Sequence, residues 1–223
     1  MKIADIRNFD QQLKFIAAIL CNFIYGGSKM KGYRLSILRH GMTEANAKGI
    51  YIGKTDTPLS DKGAAQLAAK MDEFDYPTVH RVYSSPLRRC TETAEILFPH
   101  TQICVVDDLR ELDFGIFENK SVDELVKRED YMKWIKGGKD SRPPQGESLQ
   151  ELTARTYKAL HEIITDMMND GLTHCAVITH GGVISNMLSC YGLPKYNPAE
   201  LTADFGEGFD AIATAQIWLN SQA

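Results

Sequence analysis

The apolar run "HCAVIT", residues 174–179, carries nothing charged after its first residue and stops dead at His180-Gly181-Gly182. So short and apolar a run, flanked by turn-formers, reads as a strand buried on both faces, the central strand of a parallel sheet covered by helices. A second run, "RLSILR" at Arg34–Arg39, stops the same way at His40-Gly41. In an open parallel sheet the carboxyl ends of the strands line the ligand crevice. Two imidazoles and Arg39 are therefore expected at one rim. The glycines there let the backbone approach a ligand and turn amide N–H groups toward it.

The remaining pattern agrees. Apolar runs alternate with amphipathic segments, which predicts an α/β fold: a three-layer sandwich whose mostly parallel sheet is flanked by helices. "RVYSS" (residues 81–85) and "QICVV" (102–106) are further strands. Ser60 is expected to cap a helix whose inner face is Ala64, Leu67, Ala68 and Met71. Pro86 is expected to open a helix through "LRRCTETAEIL". Ser148 and Glu151 match a capping box at the head of a helix running to about residue 168. "TAQIWL" (214–219) is predicted as a late strand. Residues 118–144 are polar and broken by Gly137-Gly138 and Pro143-Pro144, an excursion over one end of the sheet.

A chain of 223 residues with 43% hydrophobic and 24% charged residues suits one soluble domain. Its net charge of −4 argues against a general nucleic-acid surface. Five cysteines form no CxxC, the usage of a reducing cytosol, and no run is long enough to span a bilayer. Residues 1–29 read as an N-terminal extension before a domain at 30–223. Ile3, Ile6, Phe9, Leu13, Ile16, Leu20 and Ile24 recur at helical spacing. Two readings stay open for this stretch: an amphipathic helix, or an upstream start in which Gly26-Gly27 translates a ribosome-binding sequence and Met30 is the true first residue. Oligomeric state is not legible.

Taken singly, a histidine at a strand end is usually structural, and Arg88-Arg89 would be a solvated helix face. The combination changes this. Two imidazoles, arginines and glycine amides at one rim, with carboxylates from "DDLRELDFG", into which a further strand runs, suit a phosphate dianion. Phosphomonoester hydrolysis is among the slowest uncatalysed reactions, so charge stabilisation must do most of the work. A neutral imidazole can take the phosphoryl group, guanidiniums can offset the charge on its oxygens, and an acid must protonate the leaving alkoxide.

The strings "LRHGMTEAN", "TPLSDKG", "SSPLRRCTETA", "LRELDFGIFE", "GESLQEL" and "ITHGG" together resemble the histidine phosphatase superfamily in its phosphoglycerate-mutase-like branch, in the family's order and across nearly all of residues 34–187. The resemblance implies a phosphoglycerate-mutase-like fold and a small phosphomonoester as substrate. His40 corresponds to the nucleophile, Arg39, Arg89 and His180 to the clamp on the phosphoryl oxygens, and Glu111 to the proton donor. Asn46, Thr43 and the Gly181 amide match further phosphate contacts, and the segment carrying Tyr51 lines the substrate side. Register selects Arg89 over Arg88, because the family's arginine stands two positions after the leucine, here Leu87. The acid phosphatase and phytase branch would show Arg and Pro after RHG and Asp after the second His; Thr43-Glu44 and Gly181 stand there instead.

Neither metal nor cofactor is expected, since no DxD, HExxH or Cys/His spacing occurs and the clamp supplies the charge. "GIYIGKT" (49–55) nearly spells a P-loop, but three residues separate its glycines where four are needed, and no strand precedes it. Mutases carry a longer, more aromatic and basic insertion after the acid, and typically Trp before the asparagine. Ala45 and the short mixed-charge excursion here favour hydrolysis. The segments around Tyr51 and "DFGIFENKSVDEL" look most like α-ribazole phosphate phosphatases, with Tyr51, Tyr131 and Trp134 as candidate walls for an aromatic leaving group.

Overall fold

The computed structural model describes residues 32–138 and 140–214. Five strands form one sheet: β1 (Gly32–Arg39), β2 (Val82–Ser84), β3 (Ile103–Val105), β4 (His174–Thr179) and β5 (Gly208–Thr214), in the order β3-β2-β4-β1-β5. The first four are mutually parallel, and β5 runs antiparallel along β1. β4 is central, as its composition requires. The two strands that end in histidine are neighbours in exact step, Arg39 opposite Thr179, so His40 and His180 leave the sheet side by side.

Seven helices accompany the strands among the described residues: α1 (Glu44–Ala47), α2 (Asp61–Glu73), α3 (Arg88–Leu97), α4 (Val122–Leu125), α5 (Glu129–Ile135), α6 (Leu149–Asn169) and α7 (Gly181–Tyr191). Side chains alternate across a strand, so each strand feeds two cores. Leu35, Ile37, Tyr83, Cys175 and Val177 pack with Ile163, Met167 and Ile184 of α6 and α7. Leu38, Val82, Ala176 and Ile178 face the other way, against Leu67, Cys90, Ala94 and Leu97 of α2 and α3. These are the two outer layers of the sandwich.

Some local expectations shift. The inner face of α2 is narrower than its sequence suggests, with Gly63 and Leu67 buried while Ala68 and Met71 are exposed. Gly63 lets the helix lie directly on the chain at Met42, so two contacts are enough. α3 begins at Arg88 rather than at Pro86, with Leu87 as a cap that makes no side-chain bond. The late strand is Gly208–Thr214; of the stretch predicted at 214–219 only Thr214 is described, and the rest, like the predicted N-terminal helix, lies outside the described residues.

The capping box at Ser148 forms as the sequence requires. Its hydroxyl accepts from Glu151 N–H, and the Glu151 carboxylate accepts from Ser148 N–H at 2.9 Å. Ser148→Ala is expected to cost roughly 0.5–2 kcal/mol, read from the urea midpoint at unchanged slope. An unmoved midpoint would mean that α6 is held by its apolar face alone.

Candidate active site

His40 and His180 meet edge to face, ring centroids 5.1 Å apart, at the rim formed by β1 and β4. Both are buried. The Nδ1 of His40 lies 2.6 Å from the Gly41 carbonyl oxygen, an atom that can only accept. The proton therefore sits on Nδ1, and Nε2 keeps its lone pair. Burial pushes the His40 pKa down to about 3, and the positive charges of Arg89 and Arg39 push the same way. His180 is likewise held well below the usual histidine range by burial and by His40 and Arg89. Both rings are neutral near pH 7, so the positive charge of the site comes from its arginines.

Arg89 is almost fully buried, 1% exposed, on the first turn of α3. Its Nε–H donates to His180 Nδ1 (3.3 Å), and its two Nη groups donate to the carbonyls of Thr55 (2.9 Å) and Gly53 (2.8 Å). Three of five guanidinium N–H groups are thus used, leaving two for a ligand. Arg88, by contrast, is solvent-exposed and pairs with Glu92 at 2.9 Å along the helix, so the register argument is met. Arg39 is gripped by the Ala203 carbonyl (2.9 Å) and by the face of Phe205, 4.1 Å from the guanidinium carbon. Its Nε is buried and makes no hydrogen bond, a donor aimed where it has no protein acceptor.

Glu111 completes the cluster. Its oxygens accept from Leu112 N–H (2.9 Å) and Gly182 N–H (3.2 Å), yet burial dominates and raises its pKa above the usual carboxylate value. The second glycine of "THGG" is needed for this, because a Cβ on Gly182 would fall 2.6 Å from Glu111 Oε1. Gly181 opens α7, its N–H among the four that an α-helix leaves unpaired and that carry positive partial charge. Beside Glu111 lies a cavity of about 840 Å³, lined by Lys54, Leu87, Arg110, Asp113 and Arg142 among others. Of His40, His180, Arg39, Arg89 and Glu111, only Glu111 reaches it. The carboxyl group is therefore the member of this set that borders the open space.

Not every expected residue sits as the motifs suggest. His180 has a partner on each ring nitrogen. Because Arg89 donates to Nδ1, the proton lies on Nε2, 2.9 Å from Ser85 Oγ, and a direct phosphate contact requires trading one of these partners. Thr43 is taken up as the cap of α1, its hydroxyl donating to Asn46 Oδ1 at 2.9 Å, so it positions Asn46 instead of a ligand. With Oδ1 so engaged, the Nδ2 group is what Asn46 has left to offer. Tyr51 is not at the cavity. It lies in an aromatic cluster with Phe114, Phe117, Tyr131 and Trp134, its hydroxyl 2.9 Å from that of Tyr131. The three candidate walls find one another because aromatic edges pack best on aromatic faces.

The sequence reading missed four contributors. Ser85 lay inside the quoted "SSPLRR" and Glu118 inside "GIFE", both without a role. Arg155 donates to the carbonyls of Asp108, Arg110 and Glu111 and pairs with Glu147 at 2.6 Å, which braces the chain carrying Glu111. Phe205 had no signal at all, since it reaches Arg39 only through the return of β5. Among the described residues no three His, Cys, Asp or Glu side chains are grouped to hold a metal ion, and no helix is long and apolar enough to cross a membrane.

A mostly parallel sheet whose rim joins two neutral imidazoles, one buried and one part-buried arginine and a raised carboxyl defines a class of phosphoryl-handling α/β proteins. The signature of the histidine phosphatase superfamily (branch 1) matches residues 35–203, and the chain belongs to that superfamily. Probable phosphoglycerate mutase GpmB of Cronobacter sakazakii is 33% identical over 165 residues, covering 72% of this chain and 75% of the relative. The α-ribazole phosphatase of Shigella flexneri superposes with a TM-score of 0.68 at 25% identity, covering 78% of this chain and 87% of the other. A phosphoglycerate mutase of Bacillus anthracis shares the fold, with a TM-score of 0.65 at 21% identity over 82% of this chain and 89% of the other.

The tautomer and charge state of His40 can be checked directly. Imidazole ¹⁵N spectra are expected to show protonated Nδ1 and unprotonated Nε2 from pH 8 down to about pH 4. The sign for stability follows: the folded pKa lies below the unfolded value of 6.5, so nothing is lost above pH 6.5. Between 6.5 and about 3 the unfolded chain takes up a proton that the folded chain refuses, and stability falls as pH drops.

Proposed function

We propose that the chain from residue 30 onward is one metal-independent phosphatase domain that hydrolyses a small phosphomonoester through a phosphohistidine on His40. The observation that carries this reading is the His40 ring, with its Nδ1 committed to Gly41 O and its lone pair on Nε2 among Arg39, Arg89 and His180. Nε2 attacks phosphorus in line, and a P–N bond forms as the ester P–O bond breaks. Arg39 Nε and the two uncommitted N–H groups of Arg89 bind the equatorial oxygens, with Gly181 N–H and the Asn46 amide as further donors. Glu111, protonated, gives its proton to the departing alkoxide. Its carboxylate then takes a proton from water as that water attacks phosphorus and breaks the P–N bond, which releases phosphate and restores both groups.

Water access supports hydrolysis over transfer to a second hydroxyl. The cavity beside Glu111 is wide and lined by charged side chains, and the short excursion carrying α4 and α5 packs its aromatics into its own small core. A mutase must shield its phosphohistidine from such water. The α-ribazole phosphatase likeness supports α-ribazole 5'-phosphate as one substrate to test, although the aromatic cluster around Tyr51 offers it no wall. The second reading, phosphoglycerate mutase, is favoured by the names of the relatives that are 33% identical. The free cysteines Cys90, Cys104, Cys175 and Cys190 fit a cytosolic enzyme.

Phosphate release from a panel holding 3-phosphoglycerate, α-ribazole 5'-phosphate and p-nitrophenyl phosphate, with EDTA present, tests the reading. Turnover with release, and a phosphorylated His40 in acid-free quenched samples, is expected. Conversion of 3-phosphoglycerate to its 2-isomer without release would select the mutase. Glu111→Gln is expected to slow phosphorylation of His40 by alkyl phosphates by roughly 10²–10⁴ and to spare the burst of p-nitrophenol from p-nitrophenyl phosphate, whose leaving group needs no proton, while steady-state turnover of both slows because the attacking water has lost its base. Because the Glu111 pKa is raised and its acid form is the one required, the wild-type rate on alkyl phosphates should fall as pH climbs through that pKa. The variant should lose this limb.

A further inference from the structure

The near-P-loop "GIYIGKT" does grip an anion, but one that the chain itself supplies. Gly53 N–H donates to both carboxylate oxygens of Glu118, at 3.0 and 3.1 Å. Lys54 N–H (3.1 Å), Thr55 N–H (3.3 Å) and the Thr55 hydroxyl (2.6 Å) converge on the same group, and Phe114 N–H adds another bond at 3.1 Å. Five donors thus close around one carboxylate, the arrangement by which a P-loop cradles a phosphate. The fit is tight, since a Cβ on Gly53 would lie 2.4 Å from Glu118 Oε1 and 1.9 Å from the Leu112 carbonyl.

The carbonyls of this same loop face the active site. Gly53 O and Thr55 O are the acceptors that hold the two Nη groups of Arg89. A guanidinium is planar, so fixing both Nη groups and Nε fixes the direction of its remaining N–H groups. We propose that Glu118 is a positioning residue for Arg89: it locks the loop at residues 53–55, and the loop aims the arginine at the phosphoryl group. This rests on the reading that Arg89 binds that group. Glu118 shares no hydrogen bond with Arg89; it reaches the guanidinium through the loop backbone and as a nearby negative charge, so it acts on the reaction at second hand.

A carboxylate that merely tied the loop to the excursion would leave a different signature. Its removal would lower the melting temperature, and its effect on catalysis would multiply with that of losing Arg89. A double-mutant cycle separates the cases. In the full chain, Glu118→Ala, Glu118→Gln, Arg89→Gln and the double variant Glu118→Ala/Arg89→Gln are compared by kcat/KM on p-nitrophenyl phosphate and by the Kd for inorganic phosphate from calorimetry. Glu118→Ala is expected to lower kcat/KM and raise the phosphate Kd by about 10- to 100-fold. Glu118→Gln, which keeps one carbonyl acceptor, should fall between this and wild type. In the Arg89→Gln background, loss of Glu118 should cost less than about twofold more.

Effects that multiply in the double variant, or Glu118→Ala within about twofold of wild type, overturn the proposal. If the alanine variant fails to fold, the cycle is closed with Glu118→Gln under the same criterion. Wild type that hydrolyses esters while the cycle shows no coupling rejects Glu118 and leaves the phosphatase reading standing. Wild type inactive on every ester, with phosphate Kd values still coupled, does the reverse. Wild type that neither turns over nor binds phosphate rejects both.

Discussion

The in-step parallel pairing of β1 with β4 is the constraint on which the rest of this protein depends. Arg39 stands opposite Thr179, and His40 N–H is bonded to the Thr179 carbonyl at 2.9 Å. A slip of one residue would send every side chain of β1 to the other face and carry His40 away from His180. The pairing is specified twice over. Leu35 and Ile37 must enter one core and Leu38 the other, while Cys175 and Val177 divide from Ala176 and Ile178 in the same manner. The hydrophobic pattern that builds the two outer layers thereby sets the distance between two imidazoles.

On that frame the charged groups are arranged by backbone, not by ion pairs. Arg89 is almost wholly buried with no carboxylate bonded to it; its three bonds go to two carbonyls and a neutral ring. Arg39 rests on a carbonyl and an aromatic face. Had each arginine been given an acid partner, the site would be neutral and any anionic ligand would have to displace that acid. Carbonyl dipoles hold a guanidinium without cancelling its charge. The same economy keeps both histidines uncharged, which leaves His40 with a free lone pair on Nε2 and His180 as an acceptor for Arg89.

The legible part of this architecture was the part written in local patterns. Apolar runs marked β1, β2, β3 and β4, and Ser60 and Ser148 marked helix starts, because each signal lies within a few residues of its effect. The rim residues were legible for the same reason: Arg39-His40-Gly41 and His180-Gly181-Gly182 are strand ends, and strand ends are where such sheets bind ligands. What stayed hidden depends on contacts across the chain. Phe205 reaches Arg39 only because β5 folds back beside β1. Thr43 caps α1 as well, a local role that its place three residues before Asn46 already encoded. Tyr51 and Trp134 found aromatic neighbours that lie about 65 to 85 residues away from Tyr51 in sequence, a pairing no local window reveals.

The return of β5 along β1 has a consequence for how the protein comes into being. Arg39 lies near the start of the described chain, and the carbonyl and ring that hold it, at Ala203 and Phe205, lie near its end. Contacts of such sequence separation form late, after the intervening chain has condensed. A nascent polypeptide emerging from the ribosome would carry His40 long before the arginine beside it is seated. The seat of Arg39 is thus completed only once residues 203–205 have been made, and the rim has no earlier stage with that guanidinium in place.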